Sequence, residues 1–283
     1  MNRFFKFITL LILSLSIPMF ANAQPIKTLT EKPAPVQLTD RLQKIKSTGI
    51  LNVLSPNIIP YSYQDAFTGK LKGIDVDILT EVAKRLGVKK IEPTYISFPN
   101  IIQELTRNPS IDLIAQGMYI TDERKQFVNF TMPIYTEMDG ILTTKTSNIK
   151  SKADLKDKTI GVIGSTLYES LAQKWKDQGL IRDYIKFFDN TSLQTALENN
   201  VIDAMLADSM TEVSIILQKP NSNFRILSPS QYKSEINLVA GYALKKEDST
   251  LLAAINEKLQ EMKIDGTLYE ILAKNGLSCF YIP

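Results

Sequence analysis

From residue 40 onward, short apolar runs alternate with segments whose apolar residues recur at helical spacing. Val76, Leu79, Val82, Ala83 and Leu86 repeat at intervals of three and four, which predicts a helix over Asp75 to Leu86, capped by Asp75 and stopped by Gly87. A shorter helix is predicted over Asp40 to Ser47, ended by Gly49. Strands are predicted at Ile50 to Ser55, Ile91 to Ile96, Ile111 to Ala115, Thr159 to Ile163, Tyr184 to Phe188 and Ile202 to Ala207. Strand and helix in alternation predict an α/β fold with largely parallel sheets.

Two stretches of this pattern look alike. Glu104 to Ala115 and Ala196 to Ala207 each read as a helix end, an asparagine turn, an Ile-Asp pair and an apolar strand. The first continues into Gln116-Gly117 and the second into Asp208-Ser209. Ligands of open α/β sheets bind beyond the carboxyl ends of strands, so two facing lobes would bring these two ends to one cleft. Coincidence between two ordinary helix-strand units is the alternative.

The first 38 residues fall outside the alternation. Arg3 and Lys6 precede an apolar run from Ile8 to Ile17, then Pro18 and Ala21-Asn22-Ala23, the pattern of a secretory signal peptide cleaved after Ala23. Its apolar run is shorter than the roughly 20 residues that span a bilayer, although an uncleaved anchor is the alternative. Residues 24–38, with Pro25, Pro33 and Pro35 among polar neighbours, read as a flexible lead-in. The remainder exceeds the size of one comfortable core and predicts two lobes.

Composition removes several chemistries. The chain has no histidine and one cysteine, Cys279, so histidine-based triads, His-metal sites, Cys-rich metal sites and intrachain disulfides are all excluded. Cys279 reads as a small filler near the C-terminus. The formal charge is +3, and loss of Arg3 and Lys6 with the leader brings it to +1, so no nucleic-acid or polybasic membrane surface is expected. No cofactor is called for, and a monomer is expected.

The candidate chemistry lies at the strand ends. Thr121 can cap a helix start, and Arg124 three residues on can grip a carboxylate through two parallel hydrogen bonds; a solvated surface turn is the alternative. Gly164-Ser165-Thr166 forms a second turn of this kind. Asp208 can hold an ammonium group or simply cap the segment from Ser209. Tyr61, Tyr63, Phe98 and Tyr119 can wall a pocket or belong to the core, and Trp175 reads as core.

These residues carry a resemblance. From Leu51 to Gly276 the chain resembles the periplasmic amino-acid-binding proteins of ABC transporters, solute-binding protein family 3. The matching segments include Pro60-Tyr61-Ser62-Tyr63, Gly73-Ile74-Asp75-Val76-Asp77, Asp112 through Arg124, Ser151 through Lys158 and Asp265-Gly266-Thr267-Leu268-Tyr269. The resemblance implies two Rossmann-like lobes joined by two hinge strands, the type II periplasmic-binding fold. Lobe 1 would comprise 39–133 and 241–283, lobe 2 139–235, and the hinges 134–138 and 236–240. It implies a small amino-acid-like ligand, delivery to a membrane permease of an ABC transporter and a periplasmic location. It also implies that Arg124, Gly117, Tyr119 and the Ser165-Thr166 turn hold the ligand carboxylate and Asp208 its ammonium. Phe98 would pack on its side chain, with Tyr61 and Met118 completing the wall.

Two departures from the family stand out. Tyr119 occupies a position that commonly holds Ser or Thr, which predicts a narrower pocket with the hydroxyl moved outward, and Ile58 stands where many members have a sandwiching aromatic. A rival reading is a cyclohexadienyl dehydratase, which resembles these proteins and needs only a cleft carboxyl as general acid. Glu169 and Glu137 are the candidates for it, against exposed helix and hinge roles. A third reading is a ligand-sensing partner of a membrane receptor.

Overall fold

A computed structural model describes residues 40–283; the expected leader, its cleavage site and the lead-in lie outside them. Each predicted strand forms. Ile50–Ser55 and Thr159–Ile163 match their predicted bounds, while Lys90–Tyr95, Leu113–Ile114, Asp183–Phe187 and Ala204–Asp208 are shifted or shortened. The first helix, Arg41–Thr48, is capped by Asp40, whose carboxylate accepts from the backbone N–H groups of Leu42 and Gln43, and ends at left-handed Gly49.

The second helix corrects an expectation. It runs Ile74–Arg85 and is capped by Gly73 with no side-chain bond, not by Asp75. Asp75 faces inward and is fully buried. The chain needs glycine at 73 because φ is +128° and a Cβ there would lie 2.1 Å from the Tyr61 carbonyl oxygen. Backbone bonds from Ile74 and Asp75 to the carbonyls of Pro60 and Tyr61 then fix the loop that carries Tyr61.

Two large sheets and a two-stranded ladder, Tyr63–Gln64 with Leu71–Lys72, organise the strands. The first has the order Lys90–Tyr95, Ile50–Ser55, Leu113–Ile114, Ala243–Leu244, Asn129–Phe130; its first three strands are parallel and Ala243–Leu244 is antiparallel to both neighbours. The second has the order Asp183–Phe187, Thr159–Ile163, Ala204–Asp208, Tyr135–Thr144, Asn237–Gly241, Met118–Tyr119, with Phe224–Ile226 also paired to Tyr135–Thr144. Its parallel part is Asp183–Phe187, Thr159–Ile163 and Ala204–Asp208, and the long Tyr135–Thr144 strand is antiparallel to both neighbours in that order. The sheets are therefore mixed rather than largely parallel. Each returning segment, after crossing between lobes, meets its sheet running the opposite way.

Separate cores sit against each sheet. Leu51, Val53, Ile78, Leu79, Val82 and Leu259 belong to one; Ile160, Val162, Leu171, Trp175 and Leu206 belong to another. Trp175 is fully buried as expected, with its N–H donated to Glu235. Cys279 corrects its expectation: it is exposed, on the short turn Ser278–Phe280 where Phe280 takes the inward position.

The repeated Ile-Asp pair is a structural repeat. Asp112 accepts from the backbone N–H of Asn52 at 2.7 Å, and Asp203 accepts from that of Thr159 at 2.8 Å. The backbone N–H of each aspartate returns a bond to the carbonyl of the same partner. Each aspartate thus pins the neighbouring parallel strand just before its own strand leads to the cleft.

Replacing Asp112 or Asp203 by alanine leaves a strand N–H without its acceptor, and each change should destabilise the fold by about 1–3 kcal/mol. Urea unfolding of the two single variants checks this; a change within error of zero for both would show that the strands do not depend on these bonds.

Candidate functional site

The two strand ends flanking the repeat meet at one cavity. Gln116, Gly117, Met118 and Tyr119 line it from one side, and Ala207 and Asp208 from the other. Tyr61, Phe98, Arg124 and Thr166 also line it, so eight of the nine expected residues converge.

Ser165 is the exception. It is not among the residues lining this cavity but borders an adjoining one near Phe98, Arg124 and Glu169. Its backbone N–H donates to Glu169 Oε2 at 2.7 Å, while Thr166 Oγ1 accepts from the Glu169 N–H at 3.3 Å. Thr166 caps the helix Leu167–Asp177 in this way and donates its hydroxyl to the Ile163 carbonyl at 2.6 Å, so the polar groups of the turn are committed within it although Thr166 lines the cavity. Glu169 is further paired with Lys186 at 3.1 Å.

Arg124 is set by a short helix, Asp122–Lys125, whose cap Thr121 accepts from the Arg124 N–H at 3.2 Å. Its guanidinium donates to the Tyr119 carbonyl at 3.0 Å and lies 5.7 Å from the Phe98 ring centre. Burial lowers its pKa, yet from so high a starting value that the group stays charged at neutral pH. It is the one Lys or Arg among the residues lining the cavity.

Tyr119 fills the wall but does not send its hydroxyl to open solvent. The residue is 5 % exposed, and its hydroxyl is bonded to that of Tyr168 at 2.9 Å, the two rings meeting edge to face. Ile58, nearly buried, supplies an aliphatic wall.

Asp208 is both things the sequence left open. Its carboxylate caps the helix Ser209–Gln218 by accepting from the Thr211 N–H at 2.6 Å, and it lines the cavity. The Tyr61 hydroxyl stands 2.5 Å from Asp208 Oδ1 and is also hydrogen-bonded to Glu137 Oε1. Glu137, on the Tyr135–Thr144 strand, is buried and lines the cavity. Burial first, then the Asp208 charge, pushes its carboxyl well above the ordinary range; burial raises Asp208 as well.

Several lining residues escaped the sequence reading. Tyr168 and Asn190 arrive on the helices Leu167–Asp177 and Asn190–Glu198, and Gln116 presents a buried carbonyl oxygen with no hydrogen-bond partner. Gln116 sits directly at the first strand end, so its position in the repeat was the signal. Tyr168 and Asn190 carried none. No group of His, Cys, Asp and Glu among the described residues is arranged to hold a metal.

Behind the wall, Asp75 organises the Gly117 turn. It accepts from the Gly117 N–H at 2.8 Å, from the Tyr135 hydroxyl at 3.1 Å and from the Tyr242 hydroxyl at 3.0 Å. Gly117 must be glycine, because a Cβ would lie 2.1 Å from the Tyr135 hydroxyl oxygen. Full burial raises the Asp75 pKa to about 7 despite these three bonds.

This is the geometry of a cleft-type binding protein: two α/β lobes, two antiparallel crossing strands and a cavity lined by one cation and two carboxyls. The chain belongs to the bacterial extracellular solute-binding proteins, family 3, whose sequence model matches residues 50–277. It is 31% identical over 224 residues to a probable histidine-binding protein of Campylobacter jejuni, covering 78% of this chain and 81% of that one. It is 32% identical over 238 residues to the L-cystine-binding protein of Escherichia coli, covering 82% and 85%. An ancestral arginine-binding protein bound to arginine superposes with a TM-score of 0.71 at 32% identity, over 80% of this chain and 97% of that one. An ancestral amino-acid-binding protein described as a precursor of cyclohexadienyl dehydratase gives 0.71 at 28% identity, over 82% and 98%. No described helix is long and apolar enough to cross a membrane.

The raised Asp75 pKa has a definite sign in stability. Between the ordinary carboxylate value of 3.8 and about 7, the folded state holds this proton and the unfolded state does not. The Asp75 contribution is therefore complete below the ordinary value and is lost as pH rises to about 7, an effect of up to about 4 kcal/mol. Asp75→Asn should flatten this part of the profile, and urea unfolding of both proteins at pH 4.5 and pH 7.5 measures the difference. Identical pH slopes would exclude Asp75 as the source.

Proposed function

We propose that this protein is an extracytoplasmic solute-binding protein that captures a small amino-acid-like zwitterion by hinge closure and delivers it to the permease of an ABC transporter. The observation that carries this is that Arg124 and Asp208 line one cavity. A guanidinium fits a carboxylate, and a carboxylate fits an ammonium. Membership of the family and the amino-acid-binding relatives support the same class.

In this reading lobe 1 is 39–133 with 241–283, lobe 2 is 139–235, and residues 134–138 and 236–240 form the hinges. The antiparallel pairing of Tyr135 through Met138 with Ala240 through Asn237 supports those hinge positions. Arg124 serves the ligand carboxylate and Asp208 the ammonium; the Gly117 N–H and the Thr166 hydroxyl, expected to join Arg124, are committed to Asp75 and to Ile163 and Glu169. Phe98, Met118, Tyr119 and Tyr61 contact the remainder, and Gln116 offers its unpartnered carbonyl oxygen to a ligand N–H. Closure is a minor conformation of the free protein that ligand makes dominant, because only the closed form engages both charged ends. The protein works as a monomer in the periplasm after removal of residues 1–23.

A dehydratase is the second reading, favoured by one observation: Glu137 is a buried carboxyl that lines the cavity, as a general acid requires. Glu169 does not favour it, being committed to its helix cap and Lys186.

A thermal-shift screen of the proteinogenic amino acids with L-cystine and L-ornithine tests the binding reading. A true ligand at a hundredfold its Kd should add about 2.7 kcal/mol. Arg124→Ala should weaken that ligand by about 2–5 kcal/mol, roughly thirtyfold to a few thousandfold. Unchanged affinity would remove Arg124 from the site, and turnover of prephenate or arogenate, followed by ultraviolet absorbance, would replace binding by catalysis.

A further inference from the structure

Tyr61 poses a problem of proton counting. Its hydroxyl carries one hydrogen, yet it lies within hydrogen-bond reach of two carboxyls, Glu137 and Asp208. It can donate to only one of them, so the other bond needs a proton from the second carboxyl. Asp208 already accepts from the Thr211 backbone N–H, which favours its ionised form. The chain consistent with every contact runs from a protonated Glu137 to the Tyr61 oxygen, and from the Tyr61 proton to ionised Asp208.

The surroundings decide how many charges the cavity holds. Arg124 is the one cation facing Glu137, while Asp75 approaches it from the helix Ile74–Arg85. Tyr135 faces it from its own strand and Tyr119 and Tyr168 from two further elements, and burial raises the pKa of each phenol. Behind Asp208 lies Glu212, fully buried on the helix Ser209–Gln218 and held protonated by burial and by the nearby Asp208 and Asp139. Asp139 is spoken for by Tyr232, Ser234 and the Ile236 N–H. With Glu137 protonated, the cavity contains one positive and one negative charge.

A buried site disfavours uncompensated charge, so the net charge of a ligand decides what Glu137 does. A neutral zwitterion satisfies Arg124 and Asp208 and leaves the proton where it is. A ligand with one extra positive charge restores neutrality only if Glu137 ionises. Resting on the binding reading above, we infer that Glu137 is a proton-loaded subsite that sets specificity: a cationic amino acid enters by exchanging its extra charge for the proton held between Glu137 and Asp208, whereas a neutral amino acid does not.

Calorimetric titration with L-arginine and with L-glutamine, each in two buffers of different ionisation enthalpy at pH 7, counts the protons. Arginine should release about one proton per site and glutamine none. In Glu137→Gln, arginine should release none and lose about tenfold or more in affinity relative to glutamine. The unliganded protein gives a separate readout, protonated-carboxyl absorption in the infrared at pH 7 that the Glu137→Gln variant shows reduced by one carboxyl, the contributions of Glu212 and Asp75 remaining. Arginine binding without proton release, equal release by both amino acids, or identical infrared spectra for the two proteins would overturn the subsite. So would a protein that binds other amino acids but not arginine or lysine. Failure of every amino acid to bind would instead overturn the binding reading on which it rests.

Discussion

The constraint on which the structure turns is charge balance in a cleft that is largely out of water. Arg124 is brought into the cavity by a four-residue helix and a carbonyl bond, and nothing basic accompanies it among the lining residues. Two carboxyls joined through one tyrosine hydroxyl line the same cavity. Taken out of water, charges of this kind are costly alone and tolerable in pairs. In the proposed function a zwitterion pairs with Arg124 and Asp208 at once, which makes closure and binding a single event.

The fold delivers these groups through few, rigid connections. Asp112 and Asp203 fasten equivalent strands in the two sheets, so the strand ends that follow them, Gln116-Gly117 and Asp208, arrive with little freedom. Asp75 holds the Gly117 turn from behind, and Tyr135 on the crossing strand closes the same network. Gly73 lets the Tyr61 loop pack directly on the helix that carries Asp75. Tyr61 therefore belongs to the framework of one lobe while its hydroxyl reaches the crossing strand and the other lobe, placing a lobe-to-lobe contact inside the site itself.

Family membership defines the class of activity, while the cavity wall carries what is particular to this chain. Tyr119 and Tyr168 are bonded to each other, which turns two polar side chains into a mostly apolar wall. Ile58 adds to it, and Glu137 introduces an acid on the crossing strand. The dehydratase reading and the binding reading share this acid; they differ in whether its proton is given to a bond being broken or exchanged for charge.

By itself the sequence determined the alternation of strands and helices and the internal repeat, because both rest on local spacing; eight of the cavity residues it named through strand ends, caps and the family resemblance together. It placed Asp75 as a helix cap, since an acidic residue at a helix start has that role when nothing else competes for it. Only the tertiary structure decided otherwise, by burying Asp75 against Gly117, Tyr135 and Tyr242, residues 42, 60 and 167 positions away. The same holds for Ser165, withdrawn by Glu169, and for Glu137, whose meeting with Tyr61 and Asp208 spans both lobes. Which carboxyl keeps a proton depends on burial and on distant charges, and those exist only once the two lobes have closed on each other.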